Sequence, residues 1–306
     1  MKKESRVRGA VYGLLVGDAL GVPYEFSRPE DVPSLDLIEM TPPLGFSRAH
    51  KGTPVGTWSD DGAQALVLLQ CLLDDPEFDI TGFGAKLVAW YQDGYMTPDG
   101  RVFDVGFQTR RGLLNIVDGM SPAQSGPNEA QNNGNGGLMR VMPAVLVPFD
   151  DNAQLIDRAR RQGLPTHGHV RSQLTCALYV LVAKGLLEGE SAANALWSAI
   201  DTLKEMTPVA EQSELTIVLD GQLEPSRGSG YVVDAFWSAM RCVLSTDSYE
   251  GCVRAAIALG HDTDTTACIA GGLAGARYGE EGIPPRWRLE LRGKAIVEGL
   301  LARLCG

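Results

Sequence analysis

"HDTDTTACIAGG", residues 261 to 272, sets two acids one residue apart and then runs into small apolar residues. The stretch continues as "TACIAGGLAGARYG" to residue 279, with Gly271, Gly272 and Gly275 inside one helical pattern. Glycine is a poor helix former, so three in one helix need a reason. Small side chains let a second backbone approach closely. This helix is therefore expected in the middle of a bundle, with Asp262 and Asp264 near the centre of the protein. A second stretch asks for the same placement. "TWSDDGAQALVLLQCLL", residues 57 to 73, puts Asp60 and Asp61 ahead of a run that is apolar on nearly every side, the mark of a central helix.

Working outward, the chain reads as nearly all helix. "SRVRGAVYGLLVGDALG" is amphipathic and stops at Gly21-Val22-Pro23. Residues 22 to 58 are proline-rich and irregular. Helical patterns follow at 80–93, 108–118, 138–147, 151–163, 168–188, 191–205, 231–244, 248–259, 264–278 and 286–304. The segment 118–137 is a long polar loop, of a length usually kept for function. Only "LTIVLDG", 215 to 221, tempts a strand assignment. No period of 20–50 residues recurs, which argues against a solenoid. The expected fold class is all-α, a single compact domain over residues 1–306.

The chain has 306 residues, 44% apolar and 21% charged, with a net charge of −11. That balance excludes a general basic surface for nucleic acid. A small anionic ligand remains open if metals or backbone N–H groups receive it. The six cysteines form no C-x-x-C pair, and most lie in apolar helical runs, which favours a reducing compartment. The N-terminus lacks a signal-peptide core, and no run reaches the ~18 apolar residues of a spanning helix. The expectation is a cytoplasmic protein with no membrane and no nucleic-acid partner.

Taken singly, Ser59 with Asp60 and Asp61, or Asp262, is an ordinary capping arrangement. Together they pose a problem. Two like charges ~4 Å apart repel by about 4 kcal/mol at an effective dielectric of 20. Residues 57–73 and 260–276 contain no Lys or Arg to offset them. Either the acids are protonated or a cation sits between them. The Ser59 and Thr265 hydroxyls with the carboxylates of Asp60, Asp61, Asp262 and Asp264 make an all-oxygen set, suited to Mg²⁺ or Mn²⁺. Four carboxylates balance two divalent ions, and such a site can activate a water. His261 reads as a surface or supporting residue.

At this point the motifs resemble the ADP-ribosylglycohydrolase family. "GLLVGDALGVPYEF" (13–26), "WSDDG" (58–62), "GNGGLMRVMP" (134–143), "THGH" (166–169) and "GHDTDTTACIAGGLAGARYG" (260–279) fall in the family's order. The resemblance implies an orthogonal all-α bundle with two Mg²⁺ or Mn²⁺ in a central cleft. It implies removal of ADP-ribose from a modified protein by a metal-activated water attacking the anomeric carbon. Glu25 matches the family's movable metal-site glutamate, and Asp60, Asp61 and Glu25 are the expected catalytic acids. One departure is Gly62, where the family commonly has Thr.

The loop "QNNGNGG" (131–137) can turn successive N–H groups into one concavity before a helix, or be an ordinary solvated loop. The resemblance favours a ligand loop, with Asn132, Asn133, Gly134, Asn135 and Gly136 on the substrate. It also places His167 against ADP-ribose. Asp104 and Gly106, in "FDVG", match a substrate motif of bacterial members, though Asp104 alone reads equally as a turn residue. Arg140 could serve the site or make a structural salt bridge. The expected substrate is an ADP-ribosylated protein, arginine preferred, with ADP-ribose as product. The alternatives are an immunity-type protein that neutralises an ADP-ribosyltransferase toxin by binding it, and a metal-dependent phosphohydrolase.

Overall fold

The computed structural model describes residues 1–306. Fourteen α-helices follow one another: α1 (Lys3–Gly21), α2 (Asp60–Asp74), α3 (Ile80–Asp93), α4 (Phe107–Val117), α5 (Pro143–Leu146), α6 (Asn152–Arg161), α7 (Val170–Glu188), α8 (Ala192–Met206), α9 (Gln212–Asp220), α10 (Val232–Ser245), α11 (Tyr249–Ile257), α12 (Thr263–Tyr278), α13 (Pro285–Glu290) and α14 (Lys294–Cys305). There is no strand, only one isolated bridge between Gly134 and Tyr231. The fold is all-α, and "LTIVLDG" lies in α9 and the turn after it.

The small-residue helix is α12, and the backbone that approaches it belongs to α1. The two run antiparallel. A Cβ added at Gly9, Gly13 or Gly17 would lie 2.4, 2.3 or 2.1 Å from the carbonyl oxygens of Gly275, Gly271 and Ala267. One added at Gly21 would lie 2.4 Å from the Asp264 Cα. Glycines at every fourth position share one face of a helix, so α1 presents a continuous flat stripe. The end of α1 is thereby pinned to the start of α12, and the chain leaving α1 carries Glu25 past the same point.

Helix α2 is buried along nearly its whole length, from Asp60 to Leu72. Trp58, just before it, donates from Nε1 to the Met96 carbonyl at 3.0 Å. Its ring packs on Gly293, where a Cβ would lie 2.3 Å from the indole. That contact explains one difference from the sequence pattern. The helix expected over 286–304 is two helices, α13 and α14, broken at Gly293 with φ of 67°. The pattern at 138–147 also yields less helix than expected. A 3₁₀ turn over Asn135–Gly137 precedes Leu138, and α5 begins only at Pro143, which has no N–H to extend a helix from upstream. Helix α7 is long and apolar enough to cross a membrane by length and composition, and 78% of that window is buried inside the bundle.

Candidate active site

The two acidic motifs converge on Asp61. The Ser59 hydroxyl accepts from the Asp61 N–H at 3.3 Å, capping α2, and donates to Asp61 Oδ2 at 3.0 Å. The Thr265 hydroxyl donates to the same oxygen at 3.5 Å. Asp262 stands at the N-cap position of α12 but its side chain caps nothing. Its Oδ2 instead accepts from Asn135 Nδ2 at 2.8 Å. Asp264 Oδ1 accepts from the Thr265 N–H at 2.9 Å. Asp61 Oδ1 and Asp264 Oδ2 are buried with no partner. Plain helix capping would not leave carboxylate oxygens in that state, because a buried unpaired acceptor is costly.

Burial, followed by the neighbouring carboxylates, holds Asp60, Asp61 and Asp264 well above the usual carboxylate range. Burial and then Asp104 push Glu25 up to about 10. The Glu25 carboxyl meets His50 Nε2, and burial lowers the pKa of that imidazole. Asp104 is raised, chiefly by burial and against the pull of His50, whose Nε2 is 3.9 Å away. These shifts describe acids facing one another without a counter-charge; a bound cation would reverse them. The oxygens of Asp60, Asp61 and Asp104 lie within 4.8 Å of one another, as do those of Glu25, Asp262 and Asp264. Each group could hold a metal ion.

A cavity of about 290 Å³ opens onto these acids. Glu25, Asp60, Asp104, Asp262 and Thr265 line one part of it, and Gly106, Gln108, Gly134, Asn135, Gly136 and His167 line another. Asp104 sits there in the left-handed region, with φ of 58°. The glycines of the loop are needed for close approach: a Cβ at Gly136 would lie 2.6 Å from His167 Cε1. Ser59, Asp61 and Asp264 lie behind the cavity wall. Asn132 and Asn133 do not line the cavity. Asn132 is turned to Glu129 at the surface. Asn133 ties the loop down, donating to the Ala130 carbonyl at 2.8 Å and accepting from Ser172 Oγ at 3.2 Å. These two hold the loop to itself and to α7, and its later residues face the cleft.

Arg140 makes no salt bridge. It is 0% exposed and bonds to Gln64, Gln162 and Thr166. His261 is exposed, as expected, and meets the Glu25 segment only through its backbone. Asp18 was not singled out in the sequence, yet it is fully buried and accepts from the Ser59 and Gly62 N–H groups at 2.9 and 2.8 Å. Burial raises its pKa to about 7. The signal was available: Asp18 is the only charged residue between Arg8 and Glu25. It also accounts for Gly62. A Cβ there would lie 2.9 Å from Asp18 Oδ2 and 2.7 Å from Leu15 Cδ2, so glycine lets Asp18 close on the start of α2.

The chain matches the ADP-ribosylglycohydrolase family over residues 1–306. It belongs to that family. It is 28% identical over 299 residues to an ADP-ribosylarginine hydrolase, Tri1, of Serratia proteamaculans, covering 98% of this chain and 78% of that one. It is 28% identical over 316 residues to the ADP-ribosyl-[dinitrogen reductase] glycohydrolase of Rhodospirillum rubrum, covering 97% and 96%. A solved structure described as an ADP-ribosylglycohydrolase-related protein complex superposes with a TM-score of 0.80 at 29% identity, over 99% of this chain and 98% of that one. As an ADP-ribosylglycohydrolase the protein is a hydrolase that removes ADP-ribose from modified substrates, and the acid-lined cavity is its candidate active site.

Proposed function

We propose that this ADP-ribosylglycohydrolase releases ADP-ribose from arginine side chains, using two divalent cations, Mg²⁺ or Mn²⁺. The observation that carries the metal reading is the pair of separate acid groups at the converging ends of α2 and α12, with buried carboxylate oxygens left unpartnered. Ser59, Asp60, Asp61, Asp262, Asp264 and Thr265 would hold the ions, joined by Glu25 when no substrate is present. When bound, the cations would supply charge neutralisation and Lewis acidity.

The chain's own residues then divide the work. The Gly134–Gly136 loop and His167 receive the nucleotide end. Beside a cation Glu25 is ionised, and its carboxylate takes a proton from the attacking water and hands it to the departing nitrogen. Asp104 faces the leaving group. A guanidinium is planar and cationic and pairs with a carboxylate in a fork. That the Serratia relative is an ADP-ribosylarginine hydrolase supports arginine as the acceptor. The test is a matched pair of peptides carrying ADP-ribose on arginine or on serine, assayed with wild type and Asp104→Asn. Arginine is expected to be preferred, and Asp104→Asn to narrow the preference. Faster release from serine would overturn the reading.

A further inference from the structure

Behind the cleft, Arg140 sits with no carboxylate in contact, its guanidinium 5.6 Å from the centre of the Phe83 ring. It makes four bonds: Nε to Gln162 Oε1 at 3.0 Å, Nη1 to Gln64 Oε1 at 2.6 Å, and Nη2 to the Gln162 carbonyl at 2.7 Å and to Thr166 Oγ1 at 2.8 Å. A guanidinium only donates. Thr166 Oγ1 must therefore accept from it. The one other partner of that hydroxyl is His167 Nδ1, at 2.8 Å. Thr166 is 0% exposed, so its own hydrogen has to go somewhere inside the protein. Were Nδ1 protonated, that hydrogen would be buried without an acceptor. The wiring closes only if Thr166 donates to Nδ1.

We propose that Arg140 and Thr166 hold His167 as the Nε2–H tautomer, making it a fixed hydrogen-bond donor to the ligand and not a proton acceptor. Nε2 has no partner within the protein and lies against the ligand loop, 3.1 Å from where a Cβ of Gly136 would be. Burial lowers the His167 pKa to about 3, which keeps the ring neutral. Gln108 is oriented by the same kind of logic. Its Oε1 accepts from the Gly134 N–H at 2.7 Å, which turns its Nε2, buried and unpartnered, the other way. The cavity lining contains no Lys or Arg, so the neutral His167 donor meets the ligand's acceptor oxygens. Arg140 also fixes the far wall. Gln64, oxygen toward Arg140, donates from Nε2 to Asp60 Oδ2 at 2.9 Å. Arg140 and Thr166 are positioning residues. The ligand half of this inference rests on the cleft being an ADP-ribose site; the tautomer does not.

The test is long-range ¹H–¹⁵N correlation of the ring nitrogens in ¹⁵N-histidine-labelled, ligand-free protein with chelator at pH 7. The His167 signals are assigned by their loss in His167→Gln. The Nε2–H pattern is expected; an Nδ1–H ring, an imidazolium or an even mixture would overturn the proposal. Thr166→Val removes the hydroxyl and keeps the shape. It should release the tautomer and raise the Kd for ADP-ribose about 3–10-fold, the worth of one hydrogen bond, while Thr166→Ser restores both. A folded Thr166→Val with an unchanged tautomer would also sink the proposal. An intact Nε2–H pattern in a wild type that fails to bind ADP-ribose would instead overturn the ligand half and the reading of the cleft.

Discussion

Phe26 and His261 are joined through their backbones. The Phe26 N–H donates to the His261 carbonyl at 2.7 Å, and the His261 N–H donates to the Ser27 carbonyl at 2.7 Å. Both residues are in the left-handed region, with φ of 62° and 59°. The pair locks the segment carrying Glu25 to the residue before Asp262. Left-handed backbone at non-glycine residues costs of order 1–3 kcal/mol and persists only where the surroundings impose it.

His261 is therefore needed for its backbone. His261→Gly should leave stability within about 1 kcal/mol, because relief of strain offsets the gain in unfolded-chain entropy. His261→Pro removes the N–H and forbids the positive φ, and should cost about 3 kcal/mol or more together with most activity. Thermal melts and ADP-ribose release decide this. Tolerance of proline would show that the backbone link does not hold Glu25.

The α1–α12 seam predicts opposite signs for two glycine substitutions. Gly17→Ala places a methyl 2.1 Å from the Ala267 carbonyl oxygen and should destabilise by several kcal/mol or prevent folding. Gly299→Ala, on the exposed face of helix α14 with nothing within 4 Å of the new methyl, should stabilise by about 0.5–1 kcal/mol. Denaturant midpoints check both.

That seam also marks how far the sequence could be read. Gly271, Gly272 and Gly275 announced a close helix contact, and the two Asp pairs announced helix starts that meet. The partner stripe on α1 went unread because its glycines are diluted among Leu and Val. Asp18 was legible as the one acid in an apolar helix, but its partners, the N–H groups that open α2, lie 41 and 44 residues away. Gln108 and His50 act through contacts made only in three dimensions, so spacing along the chain carries no trace of them, and Arg140 could be placed near the site but its neutral partners could not be read. Asn132 and Asn133 look like their neighbour Asn135, and only the course of the loop separates the one that faces Asp262 from the two that hold the loop.

The acid clusters predict charge-linked metal binding. Asp264→Asn, and separately Asp61→Asn, should lose one equivalent of Mn²⁺ in calorimetric titration and about 100-fold or more of the hydrolysis rate. In chelator the same variants should melt higher than wild type, because like-charge repulsion falls. Unchanged stoichiometry in Asp264→Asn would count against two ions.

His167 predicts part of the acid sensitivity. Its folded pKa, lowered by burial to about 3, lies below the unfolded value near 6.5. The unfolded chain takes up a proton first, so the contribution is full above about pH 6.5 and is lost as pH falls toward 3. The slope from one such group is at most about 1.4 kcal/mol per pH unit. Between pH 6.5 and 5, His167→Gln should lose stability less steeply than wild type in the same buffer. Parallel curves from chemical unfolding would show that His167 does not titrate in this way.

We propose that cations held by the Asp60–Asp61 and Asp262–Asp264 helix ends are required to release ADP-ribose from arginine. The direct measurement is free ADP-ribose produced from an ADP-ribosylarginine peptide by protein stripped with EDTA, before and after Mg²⁺ or Mn²⁺ is restored. No release is expected from the stripped protein, and recovery is expected with either ion. Full release by the thoroughly stripped protein would contradict it.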